Sequence, residues 1–140
     1  MYNKTSVGGV VEVVVDTSAL LAVLLEEPER PALIAATTGA VLLAPASLPW
    51  EVGNALVAAI RRRRLTAAAA RAAWAAYGSV PVRLVEVDIE QAIALAAELG
   101  VYAYDAYMLE LVRRRGIPLL TLDAKLSAAA RRAGLALMEM

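Results

Sequence analysis

The chain of 140 residues is the length of one domain; it is 60% hydrophobic and carries 14 Lys+Arg against 14 Asp+Glu. It contains no Cys and no His, which excludes disulfides, thiolate or imidazole metal sites, Ser-His-Asp triads and Cys-His nucleophiles. Any metal must then sit on oxygen ligands and any acid–base chemistry falls to carboxylates, Lys, Tyr or water. Zero net charge confines nucleic-acid binding to a local patch.

Val10 to Val15, β-branched apart from Glu12, reads as a buried strand that ends at Asp16. Asp16-Thr17-Ser18 offers N-cap chemistry for a helix over Ala19 to Leu25, which Pro28 ends. Pro31 to Thr37 reads as a second short helix and Val41 to Ala44 as a second strand. Pro49 opens a helix reaching about Arg63, and Thr66 caps an alanine-rich helix running to Tyr77. Val82 to Val87 is a third strand, and Asp88 with Gln91 resembles a capping box for a helix that stops at Gly100. A helix over Ala103 to Arg115 stops at Gly116; Pro118 to Leu122 is a strand, Asp123 starts a last helix ending near Gly134, and Ala136 to Met138 is a final strand. The alternation predicts a single α/β domain over 1–140, with a central, mostly parallel sheet of about five short strands covered by helices on both faces.

The longest uncharged stretch, Pro31 to Trp50, contains Pro45, Pro49 and Gly39, so it is no spanning helix. The N-terminus lacks a basic region, and Glu12 and Asp16 interrupt its apolar run. These features predict a cytoplasmic protein with no membrane contact, whose apolar excess serves an interface.

Of the four aspartates, Asp88 reads as a cap, Asp16 and Asp123 each follow a strand, and Asp105 lies in the first turn of a helix, as does Glu51. In a parallel sheet such positions converge on one crevice. Carboxylates gathered there repel one another unless a cation neutralises them, and a site built from oxygen alone suits Mg²⁺ or Mn²⁺. Taken singly, Asp16 and Asp123 are equally good N-caps, and Asp105 and Glu51 equally good first-turn acids. Their joint placement in a chain poor in Asp favours the acidic site.

Val52, Ala55, Leu56, Ala59 and Ile60 form the core-facing stripe of the third helix, while Glu51, Asn54, Ala58 and Arg62 lie along another. Arg62 lies about 16 Å along the axis from Glu51 and points the same way. The Arg61 to Arg64 run then extends the crevice as a phosphate-binding rim, with Arg61 and Arg62 as candidate RNA contacts, or else serves the helix dipole and solubility. Arg113-Arg114-Arg115 is read as the latter.

Val-Asp16-Thr17-Ser18-Ala-Leu, Pro49-Trp50-Glu51-Val-Gly-Asn54-Ala-Leu, Tyr104-Asp105-Ala106-Tyr107 and Leu-Thr121-Leu-Asp123, in this order and spacing, resemble the PIN-domain ribonucleases, specifically the VapC-type toxins of toxin–antitoxin pairs. The resemblance runs from about Val13 to Leu137. It implies a metal-dependent endoribonuclease whose Asp16, Glu51, Asp105 and Asp123 bind one or two Mg²⁺ or Mn²⁺ ions. Ser18 and Thr121 match supporting hydroxyls and Asn54 a polar neighbour of the glutamate. The implied partners are an RNA substrate, a VapB-type antitoxin and a second copy in a homodimer. The chain departs from the pattern at the front, where residues 1–9 form an extension that reads as a mis-called start, a tag or a genuine arm.

Two rival readings differ in class. A receiver-like regulatory domain needs an acidic pair after the first strand, which Val15-Asp16-Thr17 lacks. A PIN-like module that binds RNA or protein without cutting does not need the complete acidic set. For the dimer, Ala67, Ala70, Trp74 and Tyr77 read as one stripe able to accept a second helix, or as filling the chain's own core.

Overall fold

Val11–Val15 (β1) takes the centre of the sheet, as its β-branched side chains suit a strand covered on both faces. The structure, a computed structural model, describes residues 11–140, so the expected extension over 1–9 lies outside the described residues. β1 is followed by α1 (Thr17–Leu24), α2 (Arg30–Thr37), β2 (Ala40–Pro45), α3 (Leu48–Arg61), α4 (Ala67–Tyr77) and β3 (Val82–Val85). α5 (Ile89–Leu99), α6 (Ala103–Arg115), β4 (Leu119–Leu120) and α7 (Ala124–Arg132) complete the chain. The strands run in the order β3-β2-β1-β4, and every pairing is parallel, with Val13 opposite Leu42 and Val14 opposite Leu119. The chain is an α/β fold with helices on both faces, as the alternation of elements predicts.

Pleating sends neighbouring residues of β1 to opposite faces. Val13 and Val15 pack with Leu20, Leu33, Val52 and Leu56 of α1, α2 and α3. Val14 packs with Leu95, Leu109, Leu111 and Leu126 of α5, α6 and α7. Among the described residues no helix is long and apolar enough to cross a membrane.

Three predicted strands are shorter than expected. Residues 118–122 contribute only Leu119 and Leu120 to the ladder, because the Thr121 hydroxyl turns to Asp16. Residues 136–138 make one bridge, Leu137 to Leu119. β3 stops at Val85 because the next carbonyl, that of Glu86, accepts from the Arg114 guanidinium at 2.6 Å. Arg114 also holds Glu110, which is only 3% exposed, at 2.7 Å. One residue of the Arg113–Arg115 run thus has a structural task, tying α6 to the β3–α5 turn.

The stripe expected on α4 is divided between core and surface. Ala70 and Ala73 are the buried positions and Tyr77 packs against them, whereas Ala67 is exposed and Trp74 stands 46% exposed, its ring 5.3 Å from that of Tyr77.

Helix C-termini divide into two kinds. α5 and α6 end on Gly100 and Gly116, both in the left-handed region that glycine enters without strain. α1 and α3 end instead on Glu26 (φ 54°) and Arg63 (φ 58°), the only described residues other than glycine with positive φ. At each the next two N–H groups close back on the helix. Glu26 N–H donates to Val23 and Glu27 N–H to Ala22, while Arg63 N–H donates to Ile60 and Arg64 N–H to Ala59. This is the double-bonded Schellman ending, here accommodating side chains at a position that costs an L-residue about 1–2 kcal/mol.

Candidate active site

β1 and β4 are parallel neighbours, so the turns after them emerge side by side at the C-terminal end of the sheet. Asp16 leaves β1 and caps α1, accepting from the Ala19 N–H at 3.0 Å. Asp123 leaves β4 and caps α7, accepting from the N–H groups of Lys125 and Leu126 at 2.8 and 3.2 Å. Two hydroxyls join these turns. Ser18 Oγ donates to Asp16, 2.8 Å from Oδ1, and accepts from the Leu122 N–H at 2.9 Å. Thr121 Oγ1 donates to Asp16 Oδ2 and accepts from the Asp123 N–H at 2.9 Å. Each hydroxyl gives its proton to one turn and its lone pair to the other, which fixes the Asp16 carboxylate and the backbone at Leu122 and Asp123 relative to one another.

Glu51 and Asp105 come from the first turns of α3 and α6. Glu51 Oε2 accepts from Ser47 Oγ at 2.8 Å. Ser47 precedes α3 but makes no capping bond to the helix backbone; its hydroxyl is committed to the carboxylate one turn on. Sequence reasoning missed Ser47, although a Ser four residues ahead of a first-turn Glu is a visible signal.

The charges of these acids act on one another. Burial raises the pKa of Asp16, which is only 5% exposed, and the charge of Asp123 raises it further against the hydrogen bonds from Thr121, Ala19 and Ser18. Burial raises Glu51, with the Ser47 hydroxyl opposing and the charges of Asp16 and Asp105 adding to the rise. Burial also raises Asp105, followed by the charges of Asp123 and Asp16, with Lys125 opposing. Lys125 was not a sequence candidate for this site; its positive charge opposes the rise at Asp105.

Among the described residues no group of three or more carboxylates is already gathered tightly enough to hold a metal ion. The donor set still fits a hard divalent cation. It is all oxygen, it is partly desolvated, and Mg²⁺ characteristically takes one or two carboxylates while keeping several waters.

Asn54 is exposed and makes no hydrogen bond to any of the acids. Arg62 and Arg64 line a cleft with Asp123, Thr17 and Ser18, between the C-terminal ends of α1 and α3. Arg61, paired with Arg62 in the sequence reading, is not among its lining residues; Arg64 takes that place because the left-handed Arg63 reverses the chain.

The PIN domain family model matches residues 13–132, and the chain belongs to the PIN domain family. It is similar to PAE2754 from Pyrobaculum aerophilum, with 30% identity over 86% of both chains and a TM-score of 0.64. It also shares its fold with VapC20 from Mycobacterium tuberculosis, a sarcin-ricin loop cleaving toxin, at 22% identity over 89% of this chain and 96% of that one, with a TM-score of 0.60. No curated protein matches the chain.

Proposed function

We propose that this protein is a divalent-metal-dependent endoribonuclease that acts in the cytoplasm as the toxin of a VapBC-type pair. The observation that carries the reading is the hydroxyl-braced placement of Asp16 and Asp123 at the end of the sheet, with Glu51 and Asp105 acting on the same space, in a chain of the PIN family.

Asp16, Glu51, Asp105 and Asp123 would hold one or two Mg²⁺ or Mn²⁺ ions. When bound, such an ion acidifies its water and neutralises phosphate charge. Ser18 and Thr121 keep Asp16 from rotating away, and Ser47 does the same for Glu51. Lys125 offsets part of the charge on Asp105. Arg62 meets the RNA backbone beyond the acids.

The partners follow from the exposed apolar surface. A groove between α3 and α4, lined by Val57, Ile60, Ala67 and Trp74, suits an apolar partner segment, and VapC20, which shares this fold, is itself a toxin. We assign this surface to a VapB-type antitoxin and to a second copy. The free protein is expected to scatter light at twice 14.8 kDa; a monomer mass at tens of micromolar would remove the dimer and leave the nuclease.

The deciding experiment is RNA cleavage by purified wild type and Asp105→Asn with Mg²⁺ or Mn²⁺. The wild type should cut and the variant should not. Equal cleavage by both at matched purity would overturn the assignment.

A further inference from the structure

The starts of α3 and α6 carry more than their acids. Among the described residues six are aromatic, and four of these lie within three positions of Glu51 or Asp105: Trp50, Tyr102, Tyr104 and Tyr107. None of the six is buried, and the buried residues of both cores are aliphatic or Met. Trp50 is 71% exposed, Tyr102 88% and Tyr104 44%. Aromatic rings bring the largest gain on burial, so the chain keeps in water the side chains it would profit most from covering.

Local structure leaves two of these rings without a task. Tyr104 meets Tyr107 edge-on, with ring centroids 6.1 Å apart. Trp50 and Tyr102 pair with no other ring among the described residues and belong to neither core. Tyr102 occupies the N-cap of α6, yet its side chain makes no capping bond. Both residues stand where the acids are. α3 begins just past the C-terminal end of β2, the parallel neighbour of β1, so Trp50 shares the sheet end that carries Asp16. α6 begins close by, since the charges of Asp16 and Asp123 act on Asp105. Side chains on a helix lean toward its N-terminus, which inclines the indole to that same end.

We infer that Trp50 and Tyr102 stack on unpaired bases of the RNA strand, one ring from each helix start that also supplies an acid. Every base has a π-face, so such platforms bind single strands with little regard for sequence. Bases inside a duplex are already stacked on both faces, so the substrate class is single-stranded or looped RNA. An apolar protein segment suits the rings less well, because it would have to cover mutually repelling carboxylates. RNA brings bases to the rings and a phosphate that a shared cation can join to the acids. The inference rests on the ribonuclease reading and adds to it the form of the RNA.

The test has two arms, both in EDTA so that nothing is cut. In the first, Trp74→Phe leaves Trp50 as the sole tryptophan, since the chain has only two. A mixed-sequence single strand of RNA should quench its fluorescence. A strand of the same length with abasic riboses, and the same sequence annealed to its complement, should not. In the second arm, anisotropy gives the affinities of the full chain for the three RNAs. Trp50→Ala and Tyr102→Ala should each weaken single-strand binding about tenfold, and Trp50→Phe and Tyr102→Phe should restore it. Binding of the abasic strand should stay at the wild-type level in all four, and so should the melting temperature. Unquenched Trp50, alanine variants that hold the single strand as the wild type does, or Phe variants as weak as the Ala ones overturn the inference. So do alanine variants that keep RNA affinity and lose the dimer mass in light scattering, which would give the rings to a protein interface. Stacking as expected with no cleavage by the wild type in Mn²⁺ would sink the nuclease reading alone.

Discussion

Asp16 and Asp105 belong to one charge cluster, yet the protein holds them in different ways. Asp16 is buried among three donors, the hydroxyls of Ser18 and Thr121 and the Ala19 N–H. Asp105 rides half-buried on the first turn of α6 with only the charge of Lys125 in its favour. Half of the candidate site is set when the chain folds. The other half stays under repulsion that a cation would relieve.

That contrast predicts unequal consequences for equal truncations. Asp16→Ala and Asp105→Ala should both reduce metal-dependent RNA cleavage to background. Their stabilities should part. Asp16→Ala strands buried donors and removes a cap, at about 1–3 kcal/mol, whereas Asp105→Ala removes a repelled charge and should melt at or above the wild-type temperature. Parallel thermal melts check this, and equal destabilisation would erase the distinction between the two halves.

Mn²⁺ should stabilise the wild type by roughly 2–3 kcal/mol at a hundred times its dissociation constant, and should do little for Asp105→Asn. A wild-type melting temperature unmoved by millimolar Mn²⁺ would count against the donor set.

A third effect is a pH dependence. Asp16, Glu51 and Asp105 all have their pKa raised in the fold, so between the ordinary carboxylate value and the raised one the folded state binds more protons than the unfolded chain. Stability without metal should therefore be fullest in the acidic range and fall as pH rises through the raised values. Melts in EDTA across that window check the sign. Asp105→Asn should flatten the slope.

The smaller effects separate the two braces. Thr121→Val leaves a buried carboxylate short of a donor and should cost about 1–2 kcal/mol. Ser47→Ala should cost under about 1 kcal/mol, because Glu51 can replace the lost donor with water. A larger loss at Ser47 than at Thr121 would reverse the assignment of which half is fixed.

What the sequence made legible follows the range of the forces involved. Asp16, Thr66, Asp88 and Asp123 all cap helices where local chemistry placed them, and Gly100 and Gly116 end helices as expected. The expected ends of α1 at Leu25 and of α3 at about Arg63 lie one and two residues too far along, because Glu26 and Arg63 carry no glycine-like signal. The length of β4 was overestimated because Thr121 answers to a residue in the first strand's turn, which periodicity cannot register. Arg61 and Arg64 exchanged roles for a similar reason: once α3 ends, a helical wheel no longer says where a side chain points. The burial of Glu110 depends on Arg114 and on a carbonyl in another element, and nothing local announces it.

The bonds joining Ser18 and Thr121 to the opposite turn have a consequence for synthesis. Thr121 lies 105 positions after Asp16, and β1 has no neighbour on that side until Leu119 and Leu120 arrive. A nascent chain can pair β1 with β2 early, since their partners lie some thirty residues apart. It can bond Asp16 to the Ser18 hydroxyl and the Ala19 N–H early, but the Thr121 donor is missing until the segment through Asp123 has left the ribosome. The ribosome that makes this protein therefore carries it, from Asp16 through Asp123, with its acidic site unassembled.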